Sequence, residues 1–279
     1  MSLVIIGTVA FDAIETPFGK TDKIVGGSAT YVGYSATKLG VNPKLVAVVG
    51  DDFPNETIAD FKNVGFDLEG LQIKEGEKTF FWSGRYHNDM NSRDTLVTEL
   101  NVLESFNPVI PESYQDCTYL MLGNLAPAIQ EQVINGMKDR PKLIAMDTMN
   151  FWMDIAMDDL KKTISMVDVL TINDEEARQL SDEYSLLKAA EKIQEMGPKY
   201  VIIKKGEHGA LLFHEDNVFF APALPLEEVF DPTGAGDTFA GGFVGYLSKC
   251  KEINWENMKS AIIVASAMAS FTVEKFGID

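Results

Sequence analysis

At 279 residues, 46% hydrophobic and 24% charged, the chain has the size and composition of one globular unit with at most a small appendage. Its 42 acidic against 24 basic side chains leave a formal charge of −18, which repels phosphate backbones and argues against nucleic acid as the main partner. Cys117 and Cys250 are too few for a disulfide framework. No apolar run approaches the ~18 residues of a membrane helix. With no basic leader before the first apolar run, the expectation is a cytoplasmic protein without a membrane partner.

LVIIGTV (3–9) opens the chain as a short β-branched run of the kind buried in parallel sheets. Asp12 ends it, and DAIETPFGKTDKIV (12–25) reads as extended chain, with Pro17 opposing helix. Gly26-Gly27 precede the helical pattern ATYVGYSATKLG. The pair either lets a ligand approach the backbone at a helix N-terminus or makes a turn before an N-cap at Ser28. KLVAVVG (44–50) is the next buried strand, and PNETIADFKNVG (54–65) a helix closed by glycine. LQIKEGEKTFFWSGRYHN (71–88) and RDTLVTEL (93–100) then break the alternation with extended lettering. Phe80, Trp82 and Tyr86 fall on one face at period two, and Thr79, Ser83 and Arg85 on the other. A small sheet with an aromatic face reads as a lid; the plainer alternative is a surface ribbon or a dimer contact.

TYLMLGN (118–124), KLIAMD (142–147), DVLTIN (168–173) and KYVIIK (199–204) resume the buried strands, with SLLKAAEKIQEMG (185–197) helical among them. Two helices, over 236–249 and about 255–272, close the chain. This alternation predicts a doubly wound, mostly parallel α/β sheet with helices on both faces. The expected division is a core over 1–11, 26–70 and 101–279 and a discontinuous β lid over 12–25 and 71–100.

Ligands of open parallel sheets bind where loops leave the carboxyl ends of the strands, and Asp12, Asn124, Asp147 and Asn173 all read as such ends. Asn173 and Glu176, three apart at a helix start, either serve that helix or orient waters around a metal–phosphate complex. KKGEHGALLF (204–213) is a plain hairpin or a phosphate-side loop with a lysine to supply charge, and His208 reads as an exposed turn residue. In DPTGAGDTFAGGF (231–243) a Gly-Ala-Gly loop meets a helix start with Asp237 in its first turn. Such a terminus offers unpaired N–H groups and a positive dipole to an anion, beside a carboxylate able to take a proton. The P-loop motif and the dinucleotide fingerprint are both missing, as is zinc spacing or a Ser-His-Asp arrangement.

DPTGAGDTFAGGF resembles the C-terminal signature of the ribokinase/PfkB family of sugar and nucleoside kinases. GGSATYVGYSATKLG (26–40) is similar to its N-terminal glycine motif, GDDFP (50–54) to its G-D-D turn, NDEE (173–176) to its N-x-x-E motif and KKGEHGA to its T-L-G-x-x-G segment. The resemblance covers nearly the whole chain. It implies an α/β core under a small β lid, ATP and Mg²⁺, and transfer of the γ-phosphoryl group to a CH₂OH. It makes Asp237 the base, with the N–H groups of Gly234, Ala235 and Gly236 stabilising the moving phosphoryl. Asp12, Gly26, Gly27, Tyr31 and Asn124 would bind the acceptor. Asn173 and Glu176 would hold Mg²⁺ through water, with Lys204, Gly206 and Gly209 also on the nucleotide side. Asp231 and Thr233 would lie beside a monovalent cation such as K⁺. The sequence departs from the family at Tyr31, where many sugar kinases have Asn, at Lys204, where Thr is usual, and in DTMNFW (147–152), which lacks the Arg of D-x-N-x-R. Tyr31, the aromatic lid face and a GGSAT closer to that of adenosine kinases favour a nucleoside such as adenosine, inosine or cytidine. The alternative is a free or phosphorylated sugar. A non-catalytic binder is the rival of another class, and the retained Asp237 speaks against it. A monomer or a lid-mediated homodimer is expected.

Overall fold

The first strand, β1 (Leu3–Ile6), is buried at all four positions, and its side chains divide by parity. Leu3 and Ile5 enter one apolar cluster, Val4 and Ile6 another on the opposite face, as the period of two requires. Such two-sided burial is why the strands read as unbroken apolar runs. The structure, a computed structural model, describes residues 1–278.

The chain continues through β2 (Ala10–Thr16), β3 (Gly19–Lys20), β4 (Ile24–Gly26), α1 (Ser28–Lys38), β5 (Lys44–Gly50), α2 (Asn55–Val64), β6 (Asp67–Lys74), β7 (Phe81–Tyr86) and β8 (Arg93–Glu99). Then come β9 (Tyr119–Leu122), α3 (Pro127–Asn135), β10 (Leu143–Asp147), α4 (Asn150–Ile155), α5 (Met157–Ile164), β11 (Val169–Asn173), α6 (Asp174–Ser181) and α7 (Leu186–Glu195). β12 (Tyr200–Lys204), β13 (Ala210–His214), β14 (Asn217–Ala221), α8 (Ala235–Lys249) and α9 (Trp255–Thr272) complete it.

Nine strands form one sheet in the order β14-β13-β12-β11-β10-β9-β1-β5-β6. Every pairing from β12 to β6 is parallel, and β13 and β14 add an antiparallel edge. Helices α1, α2, α8 and α9 bury side chains against one face and α3 to α7 against the other, the doubly wound arrangement expected. A second sheet runs β3-β2-β7-β8, with β4 on the other part of β2.

Two details differ from the expected division. Residues 71–74 belong to β6, which pairs with β5 as far as Gly50↔Lys74, so they extend the large sheet and not the small one. β6 is a largely half-buried edge strand, whose lettering is that of a ribbon, which hides the boundary. Asp12 is not at the end of β1 either: it lies inside β2, paired with Ile24 and Trp82.

α1 and α8 approach each other closely because α8 presents small residues to it. A Cβ added at Gly241 would lie 2.2 Å from the Val32 carbonyl oxygen, and one at Gly245 3.2 Å from the Ala36 Cα. This packing brings the N-termini of both helices to one end of the sheet. A Gly241→Ala change should therefore destabilise the fold by about 1–3 kcal/mol, the scale of overpacking, although alanine favours an isolated helix by up to ~1 kcal/mol. Urea denaturation decides between the two signs.

Candidate functional site

The site begins where α8 begins. Gly234 occupies its N-cap with φ 74°, a left-handed conformation that costs a side-chain-bearing residue energy. A Cβ there would also sit 2.5 Å from the Tyr31 ring. Upstream, the Asp231 carboxylate accepts the Thr233 N–H at 2.9 Å and the Gly277 N–H at 3.5 Å, fixing the turn into the helix. The Ala235 N–H donates to the Pro232 carbonyl at 3.2 Å, so of the three N–H groups expected to face an anion this one is engaged. Among the described residues no acceptor meets the N–H groups of Gly234, Gly236 or Asp237. The helix thus presents open donors at its positive end.

The ends of β10, β11 and β12 lie next to this terminus. Asp147 pairs with Thr171, and Asn173 with Lys204, in the sheet register. One Asp147 carboxylate oxygen accepts the Thr148 N–H at 2.9 Å and the other the Lys204 ammonium at 2.8 Å. Gln130 donates to the carbonyls of Gly123 (2.8 Å) and Asp147 (3.1 Å), tying the β9 and β10 ends together. A Cβ on Gly236 would lie 3.0 Å from the Lys204 Nζ, which sets the ion pair against the start of α8. Asn173 and Glu176 form a reciprocal cap on α6: Asn173 Oδ1 accepts the Glu176 N–H at 2.8 Å, and Glu176 Oε2 accepts the Asn173 N–H at 2.7 Å. Gly206 and Gly209 form the turn from β12 to β13, closed by the Lys205 N–H on the Gly209 carbonyl at 2.8 Å.

On the other side stands Asp12, buried in β2. A Cβ on Gly26 would fall 1.9 Å from its Oδ2, so only glycine lets β4 pass. Gly27, with φ 95°, caps α1 without a side-chain bond. The turn-and-cap reading therefore fails at Ser28, which is already inside the helix; its Oγ accepts the Thr8 N–H at 3.0 Å. Tyr31 is buried with its hydroxyl unpartnered. Asn124 stands apart, since its amide accepts the Trp152 indole N–H at 2.8 Å and donates to the Met149 sulfur at 3.0 Å.

The small sheet covers the cleft. Tyr86 is buried and accepts the Thr233 hydroxyl at 3.2 Å. Trp82 takes another course: its ring lies over Gly84 and its indole N–H donates to Thr95 at 3.3 Å. Of these two, Tyr86 is the one that reaches the turn into α8. Two residues that sequence reasoning missed come from the hairpin of β7 and β8. Arg93, opposite Tyr86 in register, lies close enough to Tyr86, Glu176 and Asp237 to lower the pKa of each. The Asn91 side chain sits 2.7 Å from where a Gly206 Cβ would be. Their only signal was proximity to Tyr86 along the chain.

Burial raises the Asp12 pKa from the usual 3.8 to about 7, the Gly27 N–H opposing and Asp231 adding to the rise. Burial raises Glu176 to about 7, with Lys204 opposing. Asp237 also moves up, by desolvation and then by the Asp147 carboxylate, against the pull of Lys204. Asp231 rises through burial, opposed by its bonds to Thr233. Burial alone would lower Lys204, but Asp147 and Glu176 more than compensate and keep it charged. A pocket with open N–H donors, one ammonium and carboxylates held near neutrality suits an anionic group and a proton acceptor together. The shallow hollow along α3, lined by Ala128, Gln132 and Gly136 among others, lies outside this cluster.

A profile of the pfkB family carbohydrate kinases matches residues 2–279. A cytidine kinase of Thermococcus kodakarensis is 32% identical over 94% of this chain and 96% of its own. A nucleoside kinase of Methanothermobacter thermautotrophicus is 26% identical over 99% and 90%. The backbone resembles a putative ribokinase II from E. coli (TM-score 0.85, 22% identity, 99% and 94% covered). It also resembles the nucleoside kinase of Burkholderia thailandensis in complex with inosine (TM-score 0.78, 19% identity, 99% and 92% covered).

The raised carboxylates have a measurable cost. Between about pH 4 and 7 Asp12 and Glu176 hold their protons in the folded protein and lose them in the unfolded chain. Unfolding there releases protons, so their contribution to stability falls as pH rises across that window. The unliganded protein should melt lower at pH 8 than at pH 5.5, and Asp12→Asn should narrow the gap by raising Tm at pH 8. An unchanged gap would show Asp12 to be ionised without penalty.

Proposed function

Because the chain belongs to the pfkB family of carbohydrate kinases, phosphotransferases with an alcohol acceptor, we propose that it transfers the γ-phosphoryl group of ATP to the primary hydroxyl of a nucleoside, with Asp237 as base. The observation that carries the reading is the start of α8, where open N–H groups and Asp237 share one helical turn. Phosphoryl transfer needs positioning and charge stabilisation more than covalent help from the protein. The N–H groups of Gly234 and Gly236 and the helix dipole would take the charge spread over the moving phosphoryl oxygens. Asp237, its pKa moved up toward neutrality, is basic enough to accept the hydroxyl proton as the new bond forms. Asp12 would accept hydrogen bonds from sugar hydroxyls, and Gly26 and Gly27 would admit the sugar to the backbone. Tyr86 and Arg93, brought over by the small sheet, would exclude water.

Mg²⁺ fits the residues present. Asn173 and Glu176 already cap each other, so their remaining polar atoms can order waters but not enclose a bare ion. Among the described residues no three His, Cys, Asp or Glu side chains gather as a metal cluster. That suits an ion held chiefly by phosphates and water, where it would offset phosphate charge. A monovalent cation beside Asp231 and Thr233 belongs to the same reading; with the Asp231 carboxylate engaged by N–H groups, backbone carbonyls would hold it.

The nucleoside choice rests on the relatives named cytidine and nucleoside kinase and on Tyr31 and Tyr86 flanking the acceptor side, where a sugar site would use amides and carboxylates. A coupled assay of cytidine, inosine and adenosine beside ribose, fructose and their phosphates tests it: turnover should be best with a nucleoside, and turnover confined to sugars would overturn the choice. Asp237→Asn should keep ATP binding and lower kcat at least about a hundredfold. In the wild type, kcat/KM should fall as pH drops through the raised Asp237 pKa, since the base must be ionised. Chelating Mg²⁺ should abolish turnover, and activity that survives exhaustive chelation would refute the metal requirement.

A further inference from the structure

We propose that Lys204 is a catalytic residue, the cation that receives the transferring phosphoryl group, held at the start of α8 by Asp147 until phosphate oxygens replace that carboxylate. The inference rests on the reading that the γ-phosphoryl group lies at the N-terminus of α8.

Three observations carry it. The Lys204 Nζ lies 2.8 Å from Asp147 Oδ2 and 3.0 Å from the place a Gly236 Cβ would occupy, so the ammonium already borders the open N–H groups. Its position is inside the cleft, with side-chain exposures of 17% for Lys204 and 7% for Asp147. At such depth an ion pair is little screened, and an ammonium is retained only with acids beside it. Those acids are Asp147, Glu176 and Asp237. The two partners of the pair are unequally fixed. Asp147 is gripped through its other oxygen by the Thr148 N–H and through its carbonyl by Gln130. Lys204 has a four-carbon stem, and among the described residues its Nζ donates to no acceptor besides Asp147. The lysine is therefore the partner that can swing, over about the length of one hydrogen bond and without backbone movement.

The chemistry balances without any change at Lys204. The acceptor oxygen forms its bond to the γ-phosphorus as the bond from that phosphorus to the β–γ bridging oxygen breaks. The hydroxyl proton goes to Asp237, and ADP leaves with the electron pair of the broken bond. Lys204 keeps its proton throughout and contributes charge at the point where it develops.

The rival account is that Lys204 only neutralises Asp147. The double variant Lys204→Met/Asp147→Asn separates the two, because it removes the ammonium and the charge it compensates together, leaving no unpaired buried ion to unfold the protein. If Lys204 serves the phosphoryl group, kcat of the double variant falls about 10²–10³-fold, the usual scale for losing one such stabilising group. Its acceptor KM and AMP affinity stay within about twofold of wild type, and Lys204→Arg alone recovers part of kcat. If the double variant turns over within about tenfold of wild type, Lys204 is a structural counter-ion and the proposal is wrong. A fully active Asp237→Asn would instead sink the underlying placement of the phosphoryl group, so the two failures are distinguishable.

Discussion

An ionised carboxylate taken out of water without partners costs several kcal/mol, and this protein gathers Asp12, Asp147, Glu176, Asp231 and Asp237 into one cluster between its two sheets. The surrounding architecture follows from keeping that group tolerable. Helix N-termini converge on it from α1, α6 and α8, each bringing partial positive charge. Asp231 draws on the Thr233 N–H, and Asp147 on a backbone N–H and a lysine. Where no partner suffices, as at Asp12 and Glu176, the acid moves toward neutrality. The nine-stranded sheet with its two apolar clusters supplies the stability against which this concentration of charge can stand.

The same arrangement reconciles a strongly acidic chain with a polyanionic substrate. A formal charge of −18 would repel a nucleotide from most of the surface, so affinity has to be created locally. On the proposed reading, open backbone N–H groups at the start of α8 would do this without adding residues of either sign, with Lys204 and Arg93 on the floor and the roof of the cleft. Positive potential in the pocket stands out against the acidic remainder of the chain.

Much of this was legible in the sequence, for reasons that can be named. Two-sided burial writes strands such as Leu3–Ile6 and Tyr119–Leu122 as apolar runs, and DPTGAGD carries the turn, the cap and the carboxylate in seven consecutive letters. What escaped depends on distance along the chain. Asp12 looked like the end of β1, but the chain re-enters a second sheet as β2 before reaching it, and no local signal marks that change. Asn124 has the right address at a strand end, yet Trp152 and Met149 claim its amide. The three N–H groups of the Gly-Ala-Gly loop looked equivalent, and the tight turn spends that of Ala235 on Pro232. Trp82 shares the parity of Tyr86, but only the position nearest the strand end reaches Thr233.

Among its contacts with the core, the small sheet sets Tyr86 on Thr233 and, through the turn after β7, Asn91 against Gly206. Both contacts belong to the single hairpin of β7 and β8, and a hairpin swings as one body. A displacement of that hairpin would therefore release both contacts together. The consequence is kinetic. Were the cleft to open by that displacement, a single event would expose both of its ends, and the turn at residues 87–92 that joins β7 to β8 would set how often it occurs.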